Sequence, residues 1–169
     1  MIVFETARLI VRYFRETDID NFFLVNGDPE IMRYIRAPQT REATLQMMRQ
    51  AIENCKSNPF MGRWAIEEKE SGEFVGSFAV IPIDQTPLIQ MGYALLKNAW
   101  GKGYATELTK EALRHVFTKT SLESIRAVAE TGNDASHGVL IKAGFKRELV
   151  KMEGEKELVR YIFYKSELT

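Results

Sequence analysis

One stretch limits the architecture more than any other: the strand-like run MGYALL at positions 91–96 passes through Trp100, Gly101, Lys102 and Gly103 straight into an amphipathic helix. In that helix Ala105, Leu108, Ala112, Val116 and Phe117 recur every three or four residues, so one face is predicted to be buried. The turn Gly101-Lys102-Gly103-Tyr104-Ala105-Thr106 therefore lies where a strand ends and a helix begins. Glycines there let the backbone approach a ligand closely, and the free N–H groups of the helix's first turn form a ready anion site. The pair of glycines also fits a purely structural turn. Two other phosphate motifs do not fit: the dinucleotide fingerprint needs a third glycine where Thr106 stands, and the nucleoside-triphosphate loop needs Ser or Thr where Gly103 follows Lys102.

The rest of the chain alternates between the two periodicities. Leu9, Val11 and Tyr13 alternate with Ile10, Arg12 and Phe14, which predicts a first strand. Thr17 reads as an N-cap with Asp20 in the first turn of a helix carrying Ile19, Phe22 and Phe23. Asp28-Pro29-Glu30 restarts a short helix, and Leu45, Met48, Ile52 and Cys55 mark one face of a longer helix over 40–55. Strands are predicted at 64–66 and 74–81 around a Ser71-Gly72 turn, and again at 91–96. After the helix of the glycine turn come a strand at 125–130, a helix at 133–143, and a hairpin of 145–152 with 158–165 around Gly154. This order predicts an α/β (α+β) fold: one domain over 1–169, with a mixed, mostly antiparallel sheet of about seven strands flanked by helices.

Charge and cysteine content narrow the function classes. The 23 basic and 23 acidic residues cancel, so no global field draws the chain to nucleic acid or an anionic membrane surface. Cys55 is the only cysteine, which rules out an intrachain disulfide and a multi-cysteine zinc cluster; no metal is expected. No stretch of about 18 apolar residues occurs, and the N-terminus lacks the apolar core of an export signal, so a cytoplasmic protein is expected.

Three blocks resemble the GNAT acetyltransferases, in particular the branch similar to ribosomal-protein N-terminal (alanine/serine) acetyltransferases. They are ETARLIVRYFRETDID through DPEIMRYI at 5–35, MGYALLKNAWGKGYATE at 91–107, and NDASHGVLIKAGF at 133–145. The resemblance implies acetyl-coenzyme A as cosubstrate and a primary amine as acceptor. The pyrophosphate would be held by backbone N–H groups of Gly101, Lys102, Gly103, Tyr104, Ala105 and Thr106, aided by the positive end of the helix, equivalent to about half an elementary charge. The strand residues Tyr93, Ala94, Leu95 and Leu96 would pair with pantetheine amides and offer an N–H to the thioester carbonyl. Asn133 fits both a helix N-cap and a cofactor contact, and Lys142 both a solvated lysine and a phosphate contact.

The resemblance also marks departures. Members of the family often place a tyrosine, the acid for the leaving thiolate, where this chain has Leu140; the assignment shifts to Ser136 as the catalytic group. A glutamate often precedes the central strand where Gln90 stands, and an amide is no base at neutral pH, so either Glu130 serves or the amine enters neutral. Trp100 replaces a glutamine or arginine that often opens the loop. His115 and His137 read as surface or satisfied histidines. Tyr34 and Gln90 are the substrate-side candidates, with the segments 32–38 and 153–156 shaping acceptor choice. Transfer is expected by direct attack in a ternary complex, most readily onto a protein or peptide N-terminal amine. A small amine or amino-sugar is the second enzymatic reading, and a non-catalytic acyl-coenzyme A sensor the reading from a different class. A homodimer is a further expectation of the resemblance.

Overall fold

The computed structural model describes all residues 1–169. Eight strands form one sheet: β1 Ile2–Glu5, β2 Leu9–Arg12, β3 Gly62–Glu68, β4 Phe74–Pro82, β5 Ile89–Leu95, β6 Ser124–Glu130, β7 Lys146–Glu153 and β8 Lys156–Tyr164. Their spatial order is β1-β2-β3-β4-β5-β6-β8-β7. Every neighbouring pair is antiparallel except β5 and β6, which run parallel. The strand beyond the expected seven is β1, a four-residue edge whose register slips between Ile2 and Phe4. It is too short and irregular to show a clear alternation.

Five helices cover the two faces: α1 Ile19–Asn26, α2 Pro29–Met32, α3 Arg41–Ser57, α4 Tyr104–Lys119 and α5 Asp134–Ala143. Strand periodicity divides the core. Trp64, Ile66, Phe78, Met91 and Ile125 point to the face of α4 and α5, where they meet Leu108, Leu113, Val116 and Leu140. Ala65 and Phe74 point the other way and pack with Phe22, Val25, Met32, Met48 and Ala51 of α1 to α3. Fully burying one such large side chain contributes about 1.5–3 kcal/mol, so both layers hold the sheet. The helices α1, α2 and α3 lie over β3, β4 and β5.

Local chemistry sets the helix ends. Thr40 caps α3 by accepting from the Ala43 N–H at 3.1 Å, and Asp28 caps α2 by accepting from Glu30 N at 2.8 Å, with Pro29 in the first position. Helix α5 stops at Gly144, whose φ of +101° lets Phe145 N donate back to Leu140 O at 3.0 Å.

The expected cap at Thr17 is not formed. A 3-10 turn Glu16–Asp18 precedes α1, and the Asp18 carboxylate accepts from Arg15 N at 2.7 Å. Asp18 is drawn inward by Arg12, which pairs with it at 2.8 and 3.0 Å and with Glu67 at 2.7 Å. Arg12 and Asp18 are both buried, and the short hydrogen bonds to Asp18 raise the guanidinium's pKa despite the opposing cost of burial.

Candidate active site

The sheet is open at one place. Between β5 and β6 only Gln90 and Arg126 pair; beyond them β5 continues to Leu95 and β6 to Glu130 without a ladder. Which groups this exposes follows from the β4 side. Leu96 donates its N–H to Val75 O at 2.8 Å. Antiparallel residues alternate in the direction of their main-chain groups, so Ala94, Gly92 and Gln90 also turn toward β4, while Met91, Tyr93 and Leu95 turn toward the gap. Leu95 O is taken by the indole N–H of Trp100 at 2.9 Å. The main chain of Tyr93 and the N–H of Leu95 are therefore the groups of the 93–96 segment that face an opening, and the N–H groups of Ala94 and Leu96 are committed to β4. A buried main chain without a partner is rare. An extended ligand carrying amides fits this gap.

The gap leads to the glycine turn. Gly101 and Gly103 hold φ of +71° and +80°, which glycine adopts freely. A Cβ added at Gly101 would meet no atom within 4 Å, so the outer side of the turn is open. No side chain caps α4, whose N-cap is Gly103, and the first helical bond runs from Glu107 N to Gly103 O. The N–H groups of Tyr104, Ala105 and Thr106 thus have no helical acceptor. The acidic Glu107 in this first turn is neutralised: it accepts from Thr6 Oγ1 at 2.5 Å, from Arg8 N at 2.8 Å and from Arg8 Nε at 2.7 Å. Burial alone would raise the Glu107 carboxyl, but these bonds outweigh it and hold the group below the ordinary carboxylate range. Beside it the Tyr104 hydroxyl donates to Glu68, and the Arg8 guanidinium lies 4.5 Å from the centre of the Tyr104 ring. The turn is braced from beneath and open above, and its N–H groups suit a pyrophosphate.

Across the gap stands α5. Asn133 is its N-cap, accepting from Ser136 N at 3.3 Å. The side chain of Tyr93 points to this face of the sheet, where burial raises its phenol's pKa and the nearby Ser136 hydroxyl pulls partly the other way. The phenol therefore keeps its proton at neutral pH beside Ser136. Leu140 is buried in the core and offers no proton. His137 is a satisfied histidine: Nε2–H donates to Glu130 O and Thr131 O at 3.0 and 3.2 Å, so Nδ1 accepts from the Tyr161 hydroxyl at 2.6 Å. Lys142 lies with Lys110 and Arg114, one and a half turns or more along α4 from its first residue, and is not brought to the glycine turn.

On the opposite face, toward α1 to α3, the same opening is bordered by the substrate-side candidates. Gly92 is exposed and a Cβ there would touch nothing within 4 Å; Gln90 follows on the same face at the strand period. Tyr34 reaches over from the segment after α2, its ring 3.7 Å from where a Cβ of Gly132 would stand, and so ties that segment to the β6–α5 loop. Glu130 has a buried Oε2 without a hydrogen-bond partner, with Lys156 Nζ at 3.9 Å. The bond from Trp100 to the Leu95 carbonyl is what the sequence reading did not assign; its signal is the aromatic residue directly before the turn.

Comparison with known proteins bears on the family and the fold. The profile of the family described as Acetyltransferase (GNAT) domain matches residues 8–146. An uncharacterized N-acetyltransferase, p20, of Bacillus licheniformis is 31% identical over 159 residues, covering 93% of this chain and 89% of that protein. Among solved structures, a GNAT-family acetyltransferase from Bacillus anthracis superposes with a TM-score of 0.86 at 20% identity over 99% of this chain and all (100%) of its own. RimL, a ribosomal-protein alpha-N-acetyltransferase solved in complex with coenzyme A, superposes with a TM-score of 0.81 at 16% identity, covering 97% and 98% of the two chains. No helix here is long and apolar enough to cross a membrane. With a family profile spanning most of its length and a relative of that identity, the chain belongs to the GNAT acetyltransferase family and is an acyltransferase.

Proposed function

We propose that this protein transfers the acetyl group of acetyl-coenzyme A to the N-terminal amine of a peptide or protein by direct attack in a ternary complex. The observation that carries the reading is the gap between β5 and β6, with the Tyr93 main chain unpaired along it and the uncapped start of α4 at its end. Bound there, acetyl-coenzyme A supplies an activated thioester. The first-turn N–H groups of α4 hold its pyrophosphate, and Tyr93 N–H lies where it can stabilise negative charge on the acetyl oxygen as the amine adds.

The amine enters from the face of Tyr34, Gln90 and Gly92, because α5 closes the other. Glu130, whose buried Oε2 accepts no hydrogen bond and has the Lys156 ammonium at 3.9 Å, takes the proton the nitrogen loses on forming its bond to the acetyl carbon. When the carbon–sulfur bond breaks, its electron pair stays on sulfur, and the Ser136 hydroxyl, at the start of α5, donates a hydrogen bond to the thiolate. The sulfur then takes its proton from water. No covalent acetyl-enzyme is needed, since Cys55 is buried in the core. The family places the acceptor among amines; an alpha-N-acetyltransferase and a spermidine N-acetyltransferase superpose about equally well, so the choice of a peptide terminus rests on the sequence blocks that resemble the ribosomal-protein branch.

The test is thiol release from acetyl-coenzyme A with a panel of alanine- and serine-initiated peptides, a polyamine and an amino-sugar. Transfer to the peptides is expected, and Ser136→Ala should lower kcat by about 10- to 100-fold, the worth of one hydrogen bond to a charged atom. Coenzyme binding without transfer to any of these amines would contradict the proposal and leave a coenzyme sensor.

A further inference from the structure

Nearly every partly buried arginine in this molecule is matched by a carboxylate. Arg12 has Asp18 and Glu67, and Arg126 and Arg160 share Glu148. Two are not. Arg36 donates from Nη2 to Asn26 Oδ1 at 3.1 Å and to the sulfur of Met47 at 3.7 Å, both neutral, and its buried Nε has no partner. Arg63 makes no ion pair or side-chain hydrogen bond at all. Gln39, three residues from Arg36, also leaves its buried Oε1 unpaired.

The sheet register places this pair beside the acceptor opening. Arg63 pairs with Ala79, and Ala79 pairs with Gly92, so the three share one row and one face. That face is the one of α1 to α3, because Ala65, two residues on from Arg63, packs with Phe14, Phe22 and Met48. Two strand spacings put the Arg63 Cα about 10 Å from Gly92, a span that an extended arginine largely covers. Arg36 descends to the same region from the segment that carries Tyr34. Its charge acts on Arg63: burial first, and then the nearby Arg36 cation, bring the Arg63 guanidinium down to about 10. Two partly desolvated cations that repel each other and lack a counter-ion are costly, and an anion between them would remove both penalties.

We propose that Arg36 and Arg63 form an anion subsite that selects acceptors carrying a carboxylate close to the reacting amine, as in a peptide with an acidic residue directly after its first. This rests on the reading of the opening as an acetyl-acceptor site. Glu130 on β6 and the arginines from β3 and the α2–α3 segment then flank the acceptor with opposite charges, the carboxylate toward the amine and the guanidiniums toward the acid. A free amino dicarboxylate presents the same chemistry, and the experiment separates the two sources.

Calorimetric titration with coenzyme A present would use three probes: the product-like acetyl-seryl-aspartyl-glycine amide, its asparaginyl counterpart, and free aspartate. The acidic peptide is expected to bind at least about tenfold more tightly than the neutral one, as for a hydrogen-bonded charge pair. Arg63→Ala and Arg36→Ala should each bring that ratio below about threefold, and Arg63→Lys should restore part of it, with circular dichroism confirming that each variant is folded. Equal binding of the two peptides by the wild-type protein, or a ratio unchanged in both alanine variants, would overturn the subsite. Free aspartate binding as tightly as the acidic peptide would overturn the peptide source in favour of a small amino acid. Equal kcat/KM for acidic and neutral acceptors would overturn the subsite while acetyl transfer stands. Acidic binding abolished by the arginine variants, in a protein that acetylates no amine, would support the subsite and remove the transferase reading.

Discussion

Arg12 and Asp18 show how much one buried pair can decide. The aspartate accepts both guanidinium bonds and the Arg15 N–H, so it fixes the chain where β2 turns toward α1. Removing one partner of a buried pair leaves the other charge uncompensated, at a cost of about 3–5 kcal/mol. Arg12→Ala, which strips the buried Asp18 carboxylate of its one cation, is therefore expected to lower unfolding free energy by that amount in urea denaturation, whereas loss of the exposed Lys56–Glu53 pair should cost under about 1 kcal/mol. This is also where local sequence reasoning failed. Thr17 has the right residue type for a cap, but the chain follows the charge at position 18, whose partner lies six residues upstream in a strand. A cap with only a local partner, Asn133, was legible for the opposite reason.

Among the elements, α4 carries the most consequence for function. Its first turn is free of side-chain caps, and its acidic residue is tied down by Thr6 and Arg8 from the β1–β2 turn. Because Glu107 is held below its ordinary value, it contributes stability that is present above the unfolded carboxylate range, about pH 4.3, and is lost as pH falls through the lowered folded value. Glu107→Gln should lower stability at pH 7 and flatten the fall in stability below about pH 4.5, measured as denaturation midpoints across pH; an unchanged acid limb would refute the coupling. The glycine turn itself was visible in the sequence between a strand and an amphipathic helix, but its glycines also fitted a purely structural turn, and the family resemblance is what pointed to a ligand. The role of Trp100 was not visible, because its partner, the Leu95 carbonyl, becomes available only once β5 and β6 part.

At the scale of the molecule, the sheet does two jobs at one seam. Its β1 to β5 part is a continuous antiparallel ladder clamped by helices on both faces, and its β6 to β8 part is a second antiparallel unit joined to the first by a single parallel pairing, Gln90 with Arg126. Most of this layout was legible from alternating periodicities. The parting of β5 from β6 was anticipated only through the family resemblance. The counter-ion deficit at Arg36 and Arg63 was invisible to sequence reading, since it depends on which carboxylates the fold carries elsewhere. The central claim is that this seam and the start of α4 together hold acetyl-coenzyme A. Proline cannot adopt the +80° φ of Gly103, so Gly103→Pro must rebuild the turn while leaving the two cores intact. The direct measurement is calorimetric titration of acetyl-coenzyme A into the wild-type protein and this variant, with circular dichroism as the control for folding. Binding at micromolar affinity or tighter by the wild-type protein, lost in a folded Gly103→Pro, is the predicted result; no binding by the wild-type protein, or equal binding by both, would contradict the account.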